Sequence, residues 1–364
     1  MTVLTQDLLD RIRSRAAGYD ASNSFFDSDL DELRAAGYLA PRSLLETARD
    51  QRLLAAYAPA TALGINMHLV WTGVARVLHE RGDTSLDWVL ADAAAGELFA
   101  FGNSEPGNDL VLWDSLTTAT PVDGGWAFTG TKIFTSLAPA WTRLGIFGRF
   151  EDQLIHGFID RTSPGVTTLD DWDTLGMRAT QSRTTVLDGA FVPSDRVSRV
   201  LPVGPNADPF VFGIFSNFLL LIGSVYAGIA DRALELAVAS SHSRKSLKSG
   251  TAYSQDPDIR WRIADAALAV DALAPQLESL ASDVDSHVDH GAAWFRHLTG
   301  AKHRSTEAAR YVVDQALRVA GGSGYRASSE LARLQRDVLA GIYHPSDTES
   351  IHSTVATNLL GPLA

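Results

Sequence analysis

The chain has 364 residues, enough for two or three domains or one composite fold, and 45% of them are apolar, as in an ordinary globular protein. It contains no cysteine, which excludes disulfides, thiolate metal sites and thiol nucleophiles. Its 31 basic and 43 acidic residues give a formal charge of −12, a balance that repels nucleic acid and anionic lipid, so neither is expected as a partner.

The first stretch, MTVLTQDLLDRIRSRAAGYD, is amphipathic and has no uninterrupted apolar signal core. In DSDLDELRAAGYLAP, Leu30, Leu33 and Leu39 fall near helical spacing before Gly37 and Pro41 stop the pattern. Two or three further helices are expected in LETARDQRLLAAYAPATALGINMHLVWTGVARVLHERG, and one more in LDWVLADAAAGELFA, ending at Gly96. Near residue 98 the texture changes to short β-prone runs separated by turn residues, continuing to about Val200. Asp123-Gly124-Gly125 predicts a hairpin turn, and Pro106-Gly107, Asp188-Gly189 and Pro193-Ser194 predict turns or loops. From about Phe210 the pattern is helical again. One long helix ends in SHSRK, a second is expected to bend at Pro275, a third ends at Gly321-Gly322, and a fourth begins after Pro345. The apolar run Phe218–Ala230 is shorter than the roughly 20 residues of a bilayer span, so it reads as a buried helix in a soluble cytoplasmic protein. The expected division is a helical domain over 1–97, a β domain over 98–200 and a helix bundle over 201–364.

Individual motifs are weak. Ser104-Glu105-Pro106-Gly107 reads as a surface turn. Lys132-Ile133-Phe134-Thr135-Ser136 sets an aromatic beside two hydroxyls at a strand end, suited to a flat heterocycle or to ordinary strand packing. Gly321-Gly322-Ser323-Gly324 follows a helix, the wrong context for a dinucleotide fingerprint. Arg244 and Lys245 place cations at a helix end, where they complement the helix dipole or clamp a phosphate. His68 reads as a satisfied core histidine, and no spacing suits a metal, so none is expected.

The order SEPG, GTKIFTS, TLGMRATQS, DGAFVP, SRK, GGSGY and RDVLAGIYHPSDTES is similar to that of the acyl-CoA dehydrogenase superfamily across nearly the whole chain. The resemblance implies an α+β, mostly α fold: N-terminal helices, a central antiparallel β domain and a C-terminal four-helix bundle, assembled as a homotetramer or homodimer. It implies FAD, with Phe101, Asn103, Ser104, Phe134, Thr135 and Ser136 around the isoalloxazine. Arg244 would reach the pyrophosphate, Gly321, Gly322 and Gly324 the adenosine part, and Ser346 would follow the catalytic position.

This sequence departs from the family where the usual glutamate base should stand: His344 replaces it, and the alternative position on the long helix holds Asn217. A neutral histidine is an acid/base near pH 7, so His344 is the candidate base or proton shuttle. The leading expectation is FAD-dependent α,β-desaturation of an acyl thioester or related carbonyl compound, with an electron-transfer partner. The alternative is a monooxygenase of the same fold using reduced flavin, FMN in that case, from a flavin reductase. The spacing of eight residues from Arg336 to His344 resembles that branch. A flavin-binding homologue without turnover is the third possibility.

Overall fold

The computed structural model describes residues 2–110, 112–361 and 363. Five helices open the chain: α1 (Gln6–Ser22), α2 (Asp27–Ala35), α3 (Leu44–Ala55), α4 (Pro59–Glu80) and α5 (Asp87–Ala94). Thr5 and Ser43 cap α1 and α3, each side chain accepting an N–H that has no partner within its helix. α4 is buried on nearly every face. Within it His68 is fully buried; Nδ1 accepts the Phe99 N–H (3.3 Å), which leaves Nε2–H to donate to the Leu39 carbonyl (2.9 Å). It is a core residue with both nitrogens used, as its setting implied.

The strands follow: β1 (Phe99–Gly102), β2 (Thr118–Val122), β3 (Gly125–Thr135), β4 (Arg143–Phe150), β5 (Gln153–Asp160), β6 (Val166–Thr168), β7 (Arg183–Pro193) and β8 (Val197–Pro202). They form one sheet in the order β6-β7-β3-β2-β4-β5-β8, with β1 also paired to β4. The sheet is mixed, not antiparallel throughout: β1 and β2 each run parallel to β4. The long segment between β1 and β2 lets the chain return in the same direction, which a tight hairpin does not permit. The hairpin at Asp123-Gly124 is present, with Gly124 at φ +76°. Asp188-Gly189 is a bulge inside β7 and not a turn. Phe128 pairs Ala190 and Gly130 pairs Leu187, so two residues oppose Thr129, whose hydroxyl accepts the Gly189 N–H.

The C-terminal region contains α6 (Pro209–Ser243), α7 (Pro257–Asp271), α8 (Leu273–Asp285), α9 (Ala293–Ala320), α10 (Glu330–Val338) and α11 (Thr348–Leu360). α6 is long and apolar enough to cross a membrane, but its most apolar window is 83% buried inside the protein, so it is a core helix here. The expected bend at Pro275 is a break at Ala272 between α7 and α8. Pro275 sits in the first turn of α8, where an N–H has no intrahelical partner to lose.

Candidate flavin site

The SEPG and GTK segments meet in a buried ion pair. Lys132 Nζ donates to Glu105 Oε1 (2.6 Å) and to the Phe147 carbonyl (2.8 Å). Glu105 also accepts from the hydroxyls of Ser115 and Thr117, the amides of Leu116 and Thr117, and Asn108 Nδ2. Lys132 is fully buried and Glu105 is 4% exposed. Burial alone would raise the Glu105 carboxyl; Lys132 and the other donors hold it down to about 2. With only two acceptors the ammonium is the less compensated partner, and burial draws it down to about 8 against the pull of Glu105. Glu105 is therefore a structural crosslink, with the surface-turn reading holding only for Pro106 and Gly107, both in a turn.

This crosslink fixes the neighbouring residues. The Ile133 N–H donates to the Ser104 carbonyl (2.9 Å), joining the two motifs directly. A bulge lies between Lys132 and Thr135, and Phe134 adopts φ +56°. Phe134 is thereby turned outward, 55% exposed, with the edge of Trp172 at 6.1 Å. Ser136, just past the end of β3, is half-buried. Thr135 between them is fully buried, and its Oγ1 has no hydrogen-bond partner. Phe101 is buried, its ring centroid 4.6 Å from that of Trp71. Trp172 was not anticipated; its cue was an aromatic just before TLGMR.

A chain of hydroxyls runs from Ser136 inward. Thr180 Oγ1 donates to the Met177 carbonyl (2.9 Å), Ser182 Oγ donates to Thr180 Oγ1 (2.8 Å), and Ser136 lies 2.8 Å from Ser182. With the Ser182 proton committed, Ser136 donates inward and presents its lone pairs outward as an acceptor. Asn103 Oδ1 is buried without a partner. An exposed aromatic ring, an orphaned amide oxygen and an outward-facing hydroxyl acceptor fit a flat heterocycle with a polar edge, and flavin is such a group. The TLGMR segment is held against α10: Asp337 Oδ1 accepts the Met177 N–H (2.6 Å), and Arg336 donates to the Leu175 carbonyl and pairs with Asp20.

His344 lies in the loop between α10 and α11. Its ring meets Tyr226 of α6 edge-on at 5.7 Å, and Nε2 is buried without a partner. Burial, reinforced by the Lys302 ammonium, pushes the imidazole down to about 3. The surroundings therefore disfavour the imidazolium that a base would have to become. Asn217 is buried against the backbone of α4 at Gly73, where it takes up the room a side chain would need. Ser346 is half-buried, and its carbonyl accepts from Lys302 (2.7 Å).

Arg244 and Gly321 meet elsewhere, at the C-terminal ends of α6 and α9. Arg244 donates to the carbonyls of Val319 (3.2 Å) and Ala320 and lies over the Tyr253 ring (4.7 Å). Gly321, at φ +59°, ends α9, and the Gly324 N–H donates back to its carbonyl. A Cβ on Gly322 would meet open space. An open groove of about 620 Å³ lies where α6 and α9 begin, walled by Phe212, Trp294 and Phe295. Phe215 stacks on Trp113 nearby, and Phe212, Phe215 and Phe218 are all half-buried against the core.

Residues 220–346 match the family model for the acyl-CoA dehydrogenase C-terminal domain. YdbM of Bacillus subtilis strain 168, provisionally named an acyl-CoA dehydrogenase, is 30% identical over 84% of this chain and 80% of its own length. The L-evernosamine nitrososynthase of a Micromonospora species is 31% identical over 60% of this chain; the matched stretch spans about half, 53%, of that protein. The crystal structure of KijD3 with FMN and dTDP-3-amino-2,3,6-trideoxy-4-keto-3-methyl-D-glucose superposes with a TM-score of 0.85 at 26% identity, covering 98% of this chain and 92% of KijD3. The chain belongs to the acyl-CoA dehydrogenase family and is a flavin-dependent oxidoreductase of it.

Proposed function

We propose that this protein is a reduced-flavin-dependent monooxygenase acting on a small molecule that is not an acyl thioester. The observation that carries the reading is the His344 nitrogen, buried, unpartnered and close to an ammonium. Desaturation needs a base that takes a proton from carbon. A carboxylate becomes neutral in doing so, whereas this imidazole would become a second buried cation. Oxygen transfer makes no such demand. Bound reduced flavin supplies two electrons to O₂; one oxygen atom enters the substrate and the other leaves as water.

The chain's own residues then have simple tasks. Phe134 packs on the ring, Asn103 and Ser136 accept from its polar edge, and His344 gives a neutral imidazole hydrogen bond to the reacting group. The FMN of KijD3, the nitrososynthase relative and a dibenzothiophene monooxygenase of Mycolicibacterium goodii, 30% identical over 67% of this chain and 64% of its own length, support this branch. Arg244 is already engaged with two carbonyls and an aromatic face, which supports FMN over FAD. A separate flavin reductase would supply the electrons. Exposed Trp261 and Leu268 on α7 and Tyr311 on α9 support assembly into dimers or tetramers.

The test combines two mixtures. Protein, FMN, a flavin reductase with NADH, and O₂ are incubated with amines, sulfides and aromatic compounds, and products are sought by mass spectrometry. Separately, the flavin-loaded protein is mixed anaerobically with acyl-CoAs. Product carrying one added oxygen from ¹⁸O₂ is expected, reduced about a hundredfold in His344→Ala by loss of one hydrogen bond to the reacting group. Bleaching of the flavin by an acyl-CoA without oxygen would establish the desaturation reading instead.

A further inference from the structure

Lys302, on α9, is 1% exposed, yet it makes no hydrogen bond to a carboxylate among the described residues. Its three N–H donors are matched by three carbonyls of one loop: Gly341 (3.1 Å), His344 (3.1 Å) and Ser346 (2.7 Å). The same loop is pressed against two helices at Gly341, where an added Cβ would come within 2.9 Å of the Tyr226 ring and 3.1 Å of the Thr306 methyl. The loop is therefore held from beneath at three carbonyls and from one side by contact, and His344 stands between two of the anchored points.

We propose that Lys302 is the positioning residue of this site: its ammonium fixes the loop from Gly341 to Ser346 and so sets the direction of the His344 imidazole. This rests on His344 acting within the flavin site. The arrangement also has an electrostatic side. Burial draws the Lys302 ammonium down to about 8, against the pull of Asp347 at the start of α11 and Glu307 on α9, and the ammonium opposes any positive charge on His344. The other titratable groups facing the pair are Tyr226 from α6 and His303 on α9, and burial favours the neutral form of each. Lysine suits the role because a compact ammonium reaches three converging carbonyls, whereas the planar guanidinium of arginine fans its donors outward.

The test is histidine NMR on the flavin-loaded protein, with the His344 signal assigned by its loss in His344→Gln. In the unaltered protein that imidazole is expected to stay neutral down to pH 5. In Lys302→Met its midpoint should rise and its signal should broaden or split as the loop takes more than one arrangement. Turnover should fall about a hundredfold, the size expected for misplacing a reacting group by about 1 Å, with KM little changed. A folded Lys302→Met that keeps the imidazole titration and the turnover overturns the proposal. Should that variant not fold, Lys302→Arg decides: it keeps the positive charge but not the three converging donors, so a broadened or split His344 signal with reduced turnover is expected, and an unchanged signal and turnover overturn the proposal. The imidazole readouts involve no turnover. An acyl-CoA desaturation result would therefore remove the oxygenation reading and leave the clamp standing.

Discussion

Removing the Glu105 carboxylate should be among the costliest single changes in the sheet. Glu105→Ala leaves the Lys132 ammonium in a dry site with the Phe147 carbonyl as its one remaining acceptor, and strips the Leu116 amide of its acceptor, while the Thr117 amide keeps Ser115 Oγ. Stranding one partner of a buried pair costs about 3–5 kcal/mol. The carboxyl points in the same direction, because Lys132 and the other donors hold it below its ordinary value against the effect of burial. Lys132→Met should cost less, about 2 kcal/mol, because the carboxylate keeps the donors from Ser115, Leu116, Thr117 and Asn108. Urea unfolding of both variants at pH 7, followed by circular dichroism, measures the two losses. The sign with pH follows from the depressed pKa. The Glu105 contribution is complete above the unfolded value, near 4.5, and disappears as the pH falls toward 2. A Glu105→Ala loss below 1 kcal/mol, or one smaller than that of Lys132→Met, would refute the reasoning.

Two further perturbations address the other contacts. Gly176→Ala would place a methyl 2.2 Å from the Arg336 carbonyl, so either the TLGMR segment or α10 must move; a loss of about 1–3 kcal/mol is expected in the same unfolding experiment. Arg244→Ala should weaken the end of α9 but change FMN affinity less than twofold by fluorescence titration, because the guanidinium is spent on the Val319 and Ala320 carbonyls. A tenfold loss, with FAD as the flavin extracted from the native protein, would return Arg244 to a phosphate-binding role.

Local features were readable from the chain. The Asp123-Gly124 turn and the end of α9 at Gly321 depend on neighbours within a few residues, and the apolar residues flanking His68 gave away its core setting, although its partners Leu39 and Phe99 lie far along the chain. What escaped was set by partners far away. Glu105 and Lys132 are 27 residues apart, and no periodicity couples them. The Asp188-Gly189 pair carries a turn signature, but β3 pairs with β7 on both sides of it and absorbs it as a bulge. The α7–α8 break falls at Ala272 because Pro275 is tolerated in the first turn of a helix, and α10 went unmarked although Leu331, Leu334 and Val338 fall at helical spacing and are buried. At the site, motif matching treated Thr135 and Ser136 alike; that the first is buried and the second half-buried beside a bulge is seen only in three dimensions. The Lys302 loop anchor had no local signal at all, since its three acceptors are main-chain carbonyls.

α6 extends for 35 residues, about 50 Å at the usual helical rise, and from Leu219 to Ala230 it is buried at every position. Tyr226 beside His344 and Arg244 at the helix end thus belong to one continuous rod. Adding or deleting one residue in its buried stretch would turn everything beyond by about 100°, taking Arg244 away from the end of α9 or moving Tyr226 off the loop. No slack inside the helix can absorb such a change. Length variation among related chains should therefore collect outside it, in segments such as the one between Lys245 and Ala252, while the residue count across α6 stays constant.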